Sequence, residues 1–175
     1  MKIENSIAKK SSKITFLAIL TALAIIINIF EYMIPPPIPV GGFKWGFSNF
    51  ILLMTFYLFG IREAFIVGLL KVLVASFFSG RFLSPGFFLG LGGTLSSLTL
   101  MSFLFRRRFG LMAVSVSGAF ASNLTQLLLS ALLFVGSFRV FYLGVYVMIL
   151  GTITGVLNAV MTYGGILWLK KIRII

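Results

Sequence analysis

The chain of 175 residues has no cysteine and no histidine, and its acidic residues are only three: Glu4, Glu31 and Glu63. Without cysteine there is no disulfide scaffold and no thiol chemistry. Without histidine there is no imidazole acid–base catalysis, and zinc loses its usual ligands. Three scattered carboxylates leave no cluster to hold magnesium, and no Ser-His-Asp set or paired acid and base exists. No Gly-x-x-x-x-Gly-Lys-Ser/Thr phosphate loop is present, so the chain is not its own ATPase. No catalytic residue and no metal site is assigned, and the chain reads as a non-enzyme.

Charge of any kind is also scarce. Charged residues are 10% of the chain and hydrophobic residues 59%, too little polar surface to cover a soluble globule. The formal net charge is +12, but the bases form no stripe on a polar domain, which argues against nucleic acid. They punctuate long apolar runs instead, the pattern of a polytopic membrane protein.

A helix that crosses the hydrocarbon core needs roughly 20 apolar residues. The runs predict six helices, over about 14–33, 45–59, 62–79, 85–105, 111–135 and 140–169, in one integral membrane domain covering 1–175. Pro35, Pro36, Pro37 and Pro39 end the first, because successive prolines cannot continue a helix. That first run is too long for a cleaved signal peptide and precedes five more spans, so it reads as a retained helix. The runs are continuous rather than alternating, which excludes a β-barrel.

With the N-terminus inside, eleven bases fall on the cytoplasmic side: Lys2, Lys9, Lys10, Lys13, Arg62, Arg106, Arg107, Arg108, Lys170, Lys171 and Arg173. Lys44, Arg81 and Arg139 fall outside, and Lys71 falls within the bilayer. The bias follows the positive-inside rule and predicts that both termini are cytoplasmic.

Lys71 is the most informative residue, because an intramembrane cation is expensive unless it faces protein or water. Ala64, Gly68 and Ala75 share its helix face, and small residues at that spacing let another helix approach. Lys71 is therefore expected to point inward and contact a ligand, the alternatives being that it snorkels outward or merely pairs with Glu31. Together with Lys44, Arg81 and Arg139 it makes the outer half electropositive, which would attract a carboxylate or phosphate. The outer bases could equally meet lipid headgroups.

Three neutral stripes accompany it: Gly86, Gly90, Gly93 and Ser97; Ala119, Asn123, Gln126 and Ser130; and Gly151, Gly155, Asn158, Thr162 and Gly165. Such faces either pack helix on helix or line a polar cavity. In the first span, Thr21, Ala24, Asn28 and Glu31 form a polar face, while Ala18 and Ala22 lie on another at small-xxx-small spacing. A second membrane subunit could dock on that smoother face.

Several segments, in order, resemble one family. They are Ile29-Phe-Glu-Tyr-Met-Ile-Pro-Pro-Pro-Ile-Pro, Gly42-Phe-Lys-Trp-Gly-Phe-Ser-Asn49, Gly60-Ile-Arg-Glu-Ala64, Lys71-Val-Leu, Gly92-Gly-Thr-Leu-Ser-Ser97, and Ser115-Val-Ser-Gly-Ala119 leading into Asn123-Leu-Thr-Gln126. The chain is similar in these to heptaprenyl diphosphate synthase component I, also called the Gx transporter family, and to the substrate-binding S components of energy-coupling factor (ECF) transporters. Lys71 stands where that pattern suggests Arg, Ser122 where it often has His, and Thr125 where it has Gly.

The resemblance implies a six-helix S component in the cell membrane of a prokaryote, capturing a small vitamin or precursor at the outer face. Its implied partners are a transmembrane coupling subunit and two ATPases, which use the ATP; this chain binds no cofactor. Ala18 and Ala22 fit the implied docking face. The implied substrate site gathers Glu31, Lys44, Asn49, Lys71, Asn123, Gln126 and Asn158. An anionic ligand would use Lys71, whereas an isoprenoid-like one would use some of the 20 Phe. The synthase label implies a different role, a membrane accessory subunit of polyprenyl diphosphate synthesis. Prenyl transfer itself needs carboxylates to hold magnesium, and this chain has none spare.

Overall fold

A computed structural model describes residues 2–34, 45–136 and 138–171. The described residues are helical, with no strand among them: α1 (Lys2–Met33), α2 (Asn49–Phe59), α3 (Ile61–Phe78), α4 (Pro85–Arg106), α5 (Leu111–Leu129) and α6 (Gly144–Lys171). A π-helical turn, Ser130–Val135, prolongs α5, and a 3₁₀ segment, Phe138–Leu143, leads into α6. The all-α expectation therefore holds. Packing runs α1 on α3, α3 on α4, α4 on α5 and α5 on α6, and α2 closes the ring by packing on α1, α3 and α6.

Among the described residues, the six expected spans divide into two groups by length and composition. Four helical stretches are long and apolar enough to cross a membrane: Ser11–Glu31, Pro85–Arg106, Leu111–Leu133 and Phe141–Lys171. With 11 residues, α2 reaches only about 16 Å at 1.5 Å per residue, half the hydrocarbon thickness. It is buried at every position from Ile51 to Phe56, as expected of a helix that is apolar all round. α3 carries Arg62, Glu63 and Lys71 within 18 residues, too many charges for a lipid-facing span.

Two boundaries also differ from the expectation. α1 begins at Lys2 rather than 14, because its basic N-terminal stretch is a good helix former although not apolar. α2 begins at Asn49 rather than 45, because Gly46 adopts φ +80° and turns the chain. A left-handed residue cannot sit inside a right-handed helix, and glycine takes that conformation without steric cost. The proline-rich stretch and Lys44 lie outside the described residues.

Along the ring axis the interior is divided. One half is an apolar core of Leu20, Ala24, Leu53, Phe56, Ala64, Val67, Leu98, Met101, Val114 and Leu169. The basic ends of the helices lie beyond it, where Lys13 pairs with Glu63 and Phe16 packs on Phe59. In the other half a group of buried polar residues gathers, Asn28, Glu31, Ser48, Lys71, Thr94, Ser122, Gln126 and Asn158, beside a smaller apolar cluster of Leu127 and Val147.

Small residues bring the helices close. A Cβ on Gly155 would come within 2.9 Å of the Val116 backbone, and one on Gly151 would collide with the Asn123 amide. In lipid there is no hydrophobic drive between helices, so such close packing carries much of the association.

Candidate functional site

The helical period sets the first wall. Ala24, Asn28 and Glu31 recur on one face of α1 and are all buried, as the sequence pattern predicts. The turn before α2 delivers the opposing groups. It is held by the Asn49 N–H donating to the Gly46 carbonyl at 3.2 Å and Phe50 N–H to the Phe47 carbonyl at 3.0 Å. The Trp45 and Phe47 rings stack with centroids 6.0 Å apart.

Ser48 in this turn is the hub. Its backbone N–H donates to Glu31 Oε1 at 2.8 Å, and its hydroxyl donates to Glu31 Oε2 at 3.0 Å. The same hydroxyl oxygen accepts from Asn28 Nδ2 at 3.1 Å and from Lys71 Nζ at 3.3 Å. Lys71 also donates to Asn49 Oδ1 at 2.8 Å. Lys71 is 2% exposed. Its face does turn inward, and it does not meet Glu31 directly. The serine stands between them, and the ion pair among the described residues is Lys13–Glu63 at the other end.

That arrangement sets the electrostatics of this half. Lys71 is not a lone cation awaiting an anion, because Glu31 shares its hydrogen-bond network. Two donors from Ser48 engage the Glu31 carboxylate, so acid and base meet across Ser48.

The same bookkeeping fixes two amides. The single Ser48 proton goes to Glu31, so Asn28 must present its NH₂ to that oxygen. Asn158 Nδ2 donates to the Gly46 carbonyl at 3.0 Å, and a carbonyl can only accept. The remaining oxygens, Asn28 Oδ1 and Asn158 Oδ1, are therefore true acceptors, and both are buried without a partner. Gln126 Oε1 is in the same state, while its Nε2 donates to Ser122 Oγ at 3.0 Å.

All of these groups line one cavity of about 40 Å³, with Gly90, Thr94, Ala119 and Thr154 completing its wall. At roughly 10–15 Å³ per water it has room for about three. Of the seven expected site residues, Glu31, Asn49, Lys71, Asn123, Gln126 and Asn158 line this chamber. Asn123 also donates to the Val147 carbonyl at 2.9 Å, tying α5 to α6. Lys44 is not among the described residues. Arg81 is exposed in the turn between α3 and α4, and Ala18 and Ala22 are exposed on α1.

Sequence reasoning did not single out Ser48, Asn28, Trp45 or Thr154 as site residues. Asn28 was within reach, lying one turn before Glu31 on the same face. Ser48 had no such signal beyond its neighbour Asn49, because its role depends on the turn at Gly46. No group of three metal-ligating side chains occurs among the described residues.

The family described as heptaprenyl diphosphate synthase component I matches residues 20–164, a span that contains every chamber residue named above. No curated protein and no solved structure matches the chain.

Proposed function

The chain belongs to the heptaprenyl diphosphate synthase component I family, and from that premise we propose that it is a substrate-binding membrane subunit of the ECF S-component type. In this reading it captures a small vitamin or precursor from outside a prokaryotic cell. A coupling subunit and two ATPases then drive uptake. The basic helix ends face the cytoplasm by the positive-inside rule, and the chamber opens toward the exterior.

The observation that carries the reading is the chamber itself. Buried polar groups within a bilayer are costly and mark ligand pathways, and here three carbonyl oxygens are buried unsatisfied beside a lysine and a glutamate. A ligand that donates hydrogen bonds to them would complete the network. A typical small-molecule site has at least ~300 Å³, so binding requires the walls to part and release the waters they can hold.

The coupling face rests on Ala18 and Ala22, which are exposed on α1 about a third of a turn from the Asn28 face. Replacing Ala22 by Trp is expected to abolish co-purification of the ATPase module while leaving ligand retention intact. Assembly of the Trp variant at the parental level would refute the docking face.

The family's description favours a second reading, an accessory subunit of heptaprenyl diphosphate synthesis. Pull-down from gently solubilised membranes separates the two. The transport reading expects the coupling subunit and two ATPases on the beads, and the accessory reading expects a soluble prenyl synthase.

A further inference from the structure

Two independent features of the chamber bear on the class of molecule it takes, and the inference drawn from them rests on the substrate-binding reading above. The first is charge. Glu31 and Lys71 are 4% and 2% exposed, and both bond to Ser48. Whichever of the two holds the proton, this acid and base sum to zero. Among the described residues no other acid or base lines the cavity. A charged molecule would therefore bring in a charge that no described wall residue is free to offset, at a high cost inside a membrane protein.

The second is hydrogen-bond valence. Asn28 and Asn158 turn their NH₂ groups to Ser48 Oγ and the Gly46 carbonyl, and Gln126 turns its own to Ser122 Oγ. The oxygens left over, Asn28 Oδ1, Gln126 Oε1 and Asn158 Oδ1, have no partner. All three side chains line the cavity and are at most 8% exposed. No side-chain nitrogen is stranded with them: the unpartnered buried atoms among the described residues are all oxygens. The chamber is short of donors, and each unmet acceptor is unfavourable until a donor reaches it. The three come from α1, α5 and α6, so donors on a single edge of a molecule cannot serve them all.

We infer that the chamber takes an uncharged molecule bearing N–H or O–H donors on more than one edge. That is the chemistry of a primary amide, an amino-substituted heterocycle or a polyol. Carboxylates and phosphates fail on charge, and they add acceptors where acceptors are already in surplus. A prenyl chain fails on valence, because hydrocarbon leaves all three oxygens unmet. Water has both required properties and fits the closed chamber, so the molecule replaces water as the donor when the walls part.

The first test uses acetamide and acetate, which share a shape and differ in charge and in donors. Acetamide in large excess should raise the melting temperature of the detergent-solubilised full chain, and acetate should not. Acetamide stabilising the chain no more than acetate does would overturn the inference. In the second test, protein released gently from its own membranes is examined by native mass spectrometry. Any small molecule it carries is ejected and weighed after transfer to deuterium oxide, where every N–H and O–H gains mass. Gain at two or more sites, with no carboxylate or phosphate present, is the expected result. An anion, or a molecule without such sites, would overturn the inference; if the coupling subunit and ATPases co-purify with it, the substrate-binding reading survives.

Gln126→Met keeps the side-chain length and removes one free acceptor, whose amide holds only Ser122 on its own helix. It should melt no earlier than the parent, because an unmet buried oxygen is lost with it. Its hold on the co-purifying molecule should weaken about threefold to tenfold, as loss of one neutral hydrogen bond would. Undiminished retention in Gln126→Met would contradict the assignment of these oxygens as the acceptors.

Discussion

Helices α1 and α3 are joined twice by an acid and a base, and the two junctions behave as opposites. At the basic end, Lys13 meets Glu63 directly, with the lysine side chain 44% and the glutamate 20% exposed. In the polar half, Glu31 and Lys71 are both buried, do not touch, and communicate through the Ser48 hydroxyl. The exposed pair gains little, because water and salt screen it. The buried pair cannot be left half made, since removing either partner strands a charge away from water. The same residue types therefore serve as a minor clasp in one place and as the frame of a chamber in the other.

The largest effect should come from breaking the buried junction on one side. Lys71→Met leaves Glu31 uncompensated and is expected to cost about 3–5 kcal/mol, read as unfolding of the detergent-solubilised protein. Adding Glu31→Gln should recover most of that loss, because the stranded charge disappears with it. A double variant no more stable than Lys71→Met would mean that the two charges do not sense each other.

A smaller effect is expected from crowding the frame that holds the chamber. Gly151→Val places a branched side chain where the Asn123 amide lies, and overpacking of this kind costs about 1–3 kcal/mol. It should also break the Asn123 bond to the Val147 carbonyl. An unchanged melting temperature would show that α5 and α6 have room to separate. The smallest effect belongs to the clasp. Lys13→Gln should cost less than about 1 kcal/mol, and a loss as large as that of Lys71→Met would erase the contrast between the junctions.

Much of the chamber was legible because helix periodicity projects directly onto burial. The α6 stripe Gly151, Gly155, Asn158 and Thr162 is buried as a line, and Gly165 is half-buried at its end. Ala64, Gly68 and Ala75 likewise turn Lys71 inward. What the sequence hides is geometry made by non-periodic backbone and by distance along the chain. The left-handed Gly46 shortens α2 and creates the turn that carries Ser48, while hydropathy sees only a continuous apolar run. The Lys13–Glu63 pair joins residues 50 apart, and nothing local announces it. The sequence offers Glu31 as a partner for Lys71, but that the two meet through Ser48 rather than directly requires knowing what Ser48 touches.

The central claim is that the chamber holds a small molecule, and Asn158 tests it most directly. Its carbonyl oxygen is buried without a partner beside Lys71, and its NH₂ holds the Gly46 turn. Native mass spectrometry of protein released gently from its own membranes should find the parent carrying a small molecule. Asn158→Leu should be folded and empty. A parent that carries nothing beyond lipid, or an Asn158→Leu variant that carries the same molecule at the same occupancy, would contradict the account.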